Sequence, residues 1–432
     1  RSLQAAAGAI LFSFSTYMLL RGSAHIVLLY AGHIPLLFYL CRRLQRDNLN
    51  RRALWAWGSL YMLVSAFLNP YYFIFGMLML AFVSIRLAIN GRWRDVSIPT
   101  SLMGEGALAF VANQSNVFLY RWHEGENSTL HARGVQEQLT YGLRLPDLFM
   151  PLEHPLKAWG RYAREHYAGT ALNFENAAAF LGLVGCVGFV AMVSVSIGRG
   201  MRRQAERIPA ETWVAFVAYM FGSIGGAAML LGVFGFSWLR ATARYSIVIL
   251  CAVLLWGART CKFRRWAPLG NVLWIALAAY TVYESNYLWL TSQRTAIPAQ
   301  VKADREFARE LETHLPREAA VFQLPVMSFP EVPNINAMSD YEPFRPYVWS
   351  KTLRFSYGSQ KGRARENWQA TCARKPVPDM VRELSDKGFA AILIQRAGFA
   401  DRGRGLEAAL AGAGLSRIAG NPQGDMVAYH VK

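Results

Sequence analysis

The chain has 432 residues, of which 53% are hydrophobic and only 17% charged, with 46 Lys and Arg against 28 Asp and Glu for a formal net charge of +18. So much apolar material beside so little charge argues against an ordinary soluble globular protein. The cationic surplus is not a nucleic-acid footprint, because no basic domain with interleaved aromatics stands apart from the loops between apolar stretches, and no nucleic-acid partner is expected.

Nine apolar stretches follow one another, at residues 3–20, 24–40, 54–68, 71–89, 97–118, 177–197, 213–231, 245–258 and 267–290. Some are shorter than the roughly 20 residues of a full span, so they define crossings better than they define ends. Four basic loops separate them: Arg42, Arg43, Arg46, Arg51 and Arg52; Arg86, Arg92 and Arg94; Arg199, Arg202, Arg203 and Arg207; and Arg259, Lys262, Arg264 and Arg265. If every stretch crosses once, all sixteen cations fall on one side, and the short connections on the other carry only Arg21, Arg240 and Arg244. The positive-inside rule then places the N-terminus in the cytoplasm and the C-terminus outside it. The expected fold is a polytopic α-helical membrane protein of about nine transmembrane helices with a C-terminal extracytoplasmic α/β domain. Its boundaries are a transmembrane domain at 1–294, with an outer loop at 119–176, and the outer domain at 295–432.

Of the five cysteines, Cys41, Cys186, Cys251, Cys261 and Cys372, only the last lies in that outer domain, so no disulfide framework is expected there. No pair has metal-ligand spacing, and neither a metal nor a cofactor is expected. The chain begins at Arg1, two residues before its first apolar stretch and without a signal-peptide layout, which suggests an upstream segment.

The outer loop carries balanced charge together with Trp122, Tyr141, Trp159, Tyr162 and Tyr167, a composition that favours order over disorder. In the outer domain, residues 301–315 form an amphipathic pattern stopped by Pro316. Apolar runs at 319–324, 390–394 and 426–431 alternate with helical patterns at 377–387 and 406–413, which predicts a mainly parallel sheet with flanking helices. Residues 326–375 form a long irregular stretch holding Asp340, Tyr341, Arg345, Tyr347, Trp349 and Arg354, with aromatic faces suited to sugar rings and Arg forks suited to phosphate. The bland alternative is a structured loop.

The polar residues at the outer ends of the apolar stretches are the site candidates. Tyr17, Arg21 and His25 are spaced four apart and share one face if the first helix continues. Arg21 either reaches a phosphate or snorkels as an interfacial anchor. Asn69-Pro70-Tyr71-Tyr72 is ordinary turn chemistry. Arg240 and Arg244 form a second cationic pair on the same outer side, which makes an anion site of the two together. His33 and Glu284 fall in or near apolar stretches, where an ionisable group is costly.

Taken together, the runs FSTYMLLRGSAH at 14–25, NPYY at 69–72, QLTYGLRLPDLFMP at 138–151, RATARY at 240–245 and the outer run at 340–368 resemble bacterial GT-C-like multi-pass membrane glycosyltransferases and related sugar translocases of cell-surface polysaccharide pathways. The resemblance implies transfer of a sugar from a polyprenyl-phosphate-linked donor to a cell-surface glycan or lipid acceptor, on the outer face of the bacterial plasma membrane. It further implies that Arg21, Arg240 and Arg244 stabilise the departing phosphate, that His25 positions it, and that Glu137 or Asp147 contacts the acceptor. Members of that class carry a catalytic Asp or Glu in the first outer loop. Nothing before Arg21 is acidic, so the resemblance puts that carboxylate upstream of Arg1. The alternatives are a noncatalytic scaffold and a flippase for lipid-linked sugars.

Overall fold

The computed structural model describes residues 2–21, 25–46, 50–127, 129, 134–168, 174–235, 237, 239–261, 267–292 and 297–431. It divides into two compact units, one of Arg1–Glu124 with Arg133–Gln293, the other of Gly125–Ala132 with Arg294–Lys432.

The nine apolar stretches of the first unit are mainly helical where described, but those at 3–20, 24–40 and 177–197 are interrupted at 14–15, 30–32 and 178–181. Among the described residues, four helices are long and apolar enough to cross a bilayer: Leu3–Arg21, Pro70–Ile89, Gly182–Met201 and Thr242–Thr260. The apolar stretch at 97–118 spans two helices, Trp93–Asn113 and Ser115–Glu124, the second with no buried residue. The stretch at 213–231 is likewise broken, into Ala210–Gly222 and Ala227–Val233. The break is filled by the segment around Leu143, where the Leu143 N–H donates to the Gly222 carbonyl at 2.9 Å and the Ile224 N–H donates to the Leu143 carbonyl at 3.2 Å. Backbone groups that leave a helix in an apolar setting need such partners. Helix Arg51–Leu68 meets Trp93–Asn113 at two glycines: a Cβ on Gly58 would stand 2.5 Å from Leu102, and one on Gly106 would stand 2.6 Å from Met62. Small residues at a helix crossing let the backbones approach closely.

The basic loops meet in pairs. Arg92 donates to the carbonyls of Gln45 and Arg46 at 2.9 and 2.7 Å and pairs with Asp95, which Arg51 also approaches. Arg259 of the fourth loop pairs with the buried Glu211, just beyond the third. Lys262, Arg264 and Arg265 lie outside the described residues. Helix Pro70–Ile89 therefore has its Arg86 end beside one basic loop pair and its Tyr71 end away from it, and its 20 residues span about 30 Å at 1.5 Å per residue, close to a hydrocarbon thickness.

Among the described residues the second unit holds five strands: β1 (Ala320–Leu324), β2 (Arg354–Phe355), β3 (Phe389–Gln395), β4 (Arg417–Gly420) and β5 (Met426–His430), in the order β2-β1-β3-β5-β4. β1 pairs parallel with β2 and β3, whereas β5 pairs antiparallel with both β3 and β4. The sheet is thus mixed rather than mainly parallel. The cause is local: Asn421 accepts the N–H groups of Asp425 and Met426, folding β4 and β5 into a hairpin where a crossover helix would have kept the chain parallel. One face of the sheet, with Phe322, Ile392, Ile394 and Val427, packs on Cys372, Met380, Leu384 and Leu410. The other, with Val321, Ala391, Leu393 and Ala428, packs on Phe307 and Leu311 of helix Ile297–His314. Helices therefore cover both faces.

Candidate anion site at the helix ends

Asn69 begins the construction of the site. Its side chain accepts the N–H groups of Tyr71 and Tyr72 at 2.9 and 3.4 Å, and Pro70 occupies the first helical position, so the turn is a complete N-cap for helix Pro70–Ile89. Both tyrosines of that first turn are buried and point into the same cluster. Tyr72 shares a 2.7 Å hydrogen bond with the Tyr17 hydroxyl and donates to the Leu28 carbonyl at 3.1 Å. The Tyr71 hydroxyl accepts the Ala241 N–H at 3.2 Å, and the Tyr71 carbonyl accepts the Tyr245 hydroxyl at 3.1 Å. Three apolar helices are joined at one end in this way.

Into that aromatic frame come three basic side chains and one acid. Arg21, fully buried at the end of Thr16–Arg21, donates to the Glu175 carboxylate at 2.5 Å and to the Glu175 carbonyl at 3.2 Å. Arg244 donates Nη2 to Oε1 of the same carboxylate at 3.0 Å, and His25 Nε2 lies 3.2 Å from that oxygen. Each arginine also lies over a tyrosine ring, Arg21 over Tyr17 at 5.0 Å and Arg244 over Tyr71 at 4.6 Å. Such stacking holds a guanidinium in a partly desolvated place. Burial pushes the Glu175 carboxyl upward, but Arg21 and Arg244 outweigh it and hold the group at about 2. A carboxylate held so low is a poor proton acceptor at neutral pH and a good counter-ion. With two permanent cations against one anion, the cluster keeps a net positive charge even with His25 neutral. Its chemistry is therefore to accept a further anion on guanidinium forks.

Glu175 owes its place to Asp147. The Asp147 carboxylate is fully buried and accepts the Tyr167 hydroxyl at 2.6 Å, the Asn176 amide at 2.7 Å and the Arg144 N–H at 2.8 Å. Asn176 also donates to the Gly142 carbonyl at 2.9 Å, which fastens the short helix Phe174–Ala177, and Glu175 with it, to the outer loop. Burial raises the Asp147 carboxyl, against the opposing pull of Tyr167 and Asn176. Asp147 thus sits behind Glu175 as a positioning residue, with no face open to an acceptor.

Arg240 and Arg244 part company. The intervening chain is a 3-10 turn, Thr242–Tyr245, and while Arg244 turns to Glu175, Arg240 pairs with Glu137 at 2.5 Å and lies over Tyr141 at 5.6 Å. Neighbouring Gln138 ties this pair down by donating to the Leu239 and Ala228 carbonyls at 2.8 and 3.2 Å. Of the six sequence candidates, Arg21, His25 and Arg244 share one carboxylate, Arg240 and Glu137 form a separate pair, and Asp147 is a buried support. Glu175 is the member that sequence reasoning did not single out, and Tyr71 and Tyr72 enter it only as part of a turn and a motif. The tyrosines follow a capping turn that explained itself locally, and Glu175 has no spacing relation to Arg21 or Arg244.

Glu284, a candidate because of its apolar surroundings, is fully buried and has a different occupation. The His154 Nδ1 atom accepts the Leu156 N–H at 3.0 Å, which leaves Nε2 to donate to Glu284 at 2.6 Å. Glu284 also accepts the Leu183 N–H at 2.9 Å, at the start of helix Gly182–Met201. A carboxylate there meets the positive end of the helix dipole. Gly182 has φ +75°, and a Cβ on it would stand 2.8 Å from the carboxylate, so glycine is required on both counts. In the second unit, the irregular stretch at 326–375 is a structured connection: Arg345 is locked between Asp304 and Asp425, Arg354 pairs with Glu318 and Trp368 donates to Glu383. Compared with known proteins, the chain matches no family model, no curated protein and no solved structure.

Proposed function

We propose that this chain is a multi-span membrane protein of the bacterial plasma membrane that transfers a sugar from a polyprenyl-phosphate-linked donor to a glycan or lipid acceptor on the outer face. In this reading about nine spans, several of them broken, put the N-terminus in the cytoplasm and the second unit outside. The observation that carries it is the gathering of Arg21, His25 and Arg244 on Glu175 at the ends of two apolar helices, at the opposite end of helix Pro70–Ile89 from the basic loops. A membrane-borne phosphate would reach the cluster from the lipid side and share the guanidinium forks with Glu175. A noncatalytic scaffold that binds the same lipid is the second reading, favoured by one observation: Glu175 is held at about 2, too acidic for the base that an acceptor hydroxyl needs.

The test is polyprenyl-phosphate binding and sugar transfer by the protein in nanodiscs. Arg21→Gln or Arg244→Gln should weaken lipid binding roughly 10- to 100-fold, the worth of a charge-assisted hydrogen bond, and Lys should restore only part of it. Equal binding by all variants would remove the cluster from the site. Binding without transfer would select the scaffold. A reporter fused after Lys432 that is active in the cytoplasm would defeat the topology.

A further inference from the structure

We propose a second anion site on the first unit, a cleft of about 190 Å³ lined by Glu153, His154, Lys157, Arg161, Arg164 and Tyr287, which takes the phosphate group of a phosphorylated ligand. It does not rest on the sugar-transfer reading.

Lys157 and Arg161 lie four apart on helix Lys157–Ala163, and Arg164 opens the single π-helical turn Arg164–Ala168 that continues it. The spacing puts the three cations on one face, where like charges four apart oppose the helix rather than support it. A π turn at such a point re-aims side chains and recurs at functional sites. Only one acid of the lining faces them: Glu153 pairs with Arg164 at 2.6 Å, with both side chains nearly half exposed. Lys157 and Arg161 make no ion pair among the described residues. Glu284 is occupied beneath the cleft by His154 and the Leu183 N–H, and Glu165, next to Arg164, is not part of the lining. Three cations thus surround a cavity of several water volumes with one exposed acid between them, which suits a phosphate carrying one or two negative charges. The depth is informative too. Glu284 joins His154 of the cleft to the first turn of the apolar helix Gly182–Met201, so the cleft lies level with the end of a candidate span, where headgroup phosphates lie.

The phosphate could belong to a lipid headgroup or to a soluble phosphate ester. The protein in phosphatidylcholine nanodiscs is titrated calorimetrically with inorganic phosphate and, separately, with short-chain phosphatidic acid. Saturable binding is expected in wild type, at least tenfold weaker for each cation removed in Lys157→Gln/Arg161→Gln, and unchanged in Lys302→Gln, whose side chain is exposed in the other unit. Binding of phosphatidic acid alone assigns the cleft to headgroups, and binding of both probes alike assigns it to the phosphate itself. Arg244→Gln, which alters the Glu175 cluster, should leave unchanged the component of binding that the double replacement removes. The single replacement Arg161→Lys keeps the charge and the fold and should still bind more weakly, because the fork is lost. No saturable binding in wild type, binding unaltered by the double replacement, or binding abolished by Arg244→Gln would each overturn the proposal.

Discussion

Two buried charge triads, one in each unit, are mirror images. In the first unit Glu175 sits between Arg21 and Arg244, two cations on one acid. In the second, Arg345 sits between Asp304 and Asp425, at 2.6 and 2.7 Å, two acids on one cation. The Arg345 triad ties helix Ile297–His314 to the β4–β5 turn, and its fork is filled, with Nε and Nη2 on Asp304 and Nη1 on Asp425. The Glu175 triad is left cationic, and Arg21 Nε makes no hydrogen bond among the described residues although it is buried. An unsatisfied buried donor is costly and calls for a partner. The same three-body chemistry therefore yields a staple when the cation is in the middle and a cluster of net positive charge when the acid is.

Removing the central residue should have the largest effect in both. Glu175→Gln leaves the fully buried Arg21 without a counter-ion and should cost about 3–5 kcal/mol, read as a fall in the unfolding temperature of the solubilised protein. Arg345→Gln should cost about 3 kcal/mol, at the lower end of that range, because Arg345 and Asp425 keep 16% and 21% exposure. A loss confined to one of the two would break the symmetry.

Acid sharpens the contrast inside the first unit. Glu175 is held at about 2 in the fold, below the usual carboxylate value near 4.5, so its contribution is complete above that value and is lost as pH falls from about 4.5 towards 2. Asp147 is raised by burial, so its ionised form opposes folding and protonation relieves it. The two carboxylates of one loop thus pull in opposite directions with pH. Urea titrations at a series of pH values should show Asp147→Asn steepening the acid loss and Glu175→Gln flattening it. The reverse pattern would mean that the two roles are exchanged.

The smallest effect is expected at Arg354, whose 2.5 Å pair with Glu318 has both side chains more than 60% exposed. Arg354→Gln should change stability by less than about 1 kcal/mol, because solvent screens such pairs. A loss as large as that of Arg345→Gln would show that burial does not separate the two.

Much of the local structure was legible in advance. The apolar runs are mainly helical, because helix formation answers to composition over a few turns, but where they break was not legible. In the second unit the three predicted strands and the three predicted helices are present, although β2 and β4 were not foreseen, and the Asn69-Pro70 turn is the cap that its chemistry dictates. The parallel character of the sheet was legible only in part, since strand direction at the end of the chain depends on what Asn421 bonds rather than on apolar pattern.

The site shows the division most clearly. From the sequence alone came the cations: Arg21, His25 and Arg244 stand at the ends of apolar runs, where charge is conspicuous and few alternatives exist. Only the tertiary structure decided their partner. Glu175 lies 154 residues from Arg21 and 69 from Arg244, and among the acids of the outer loop nothing in spacing marks it out. The same holds for Arg240, four residues from Arg244 yet paired with Glu137, and for His154, 130 residues from Glu284. A helix is written in contacts three and four residues apart, which a sequence displays. A buried ion pair is decided by which charges the packed helices bring within about 4 Å, where desolvation makes any other arrangement costly.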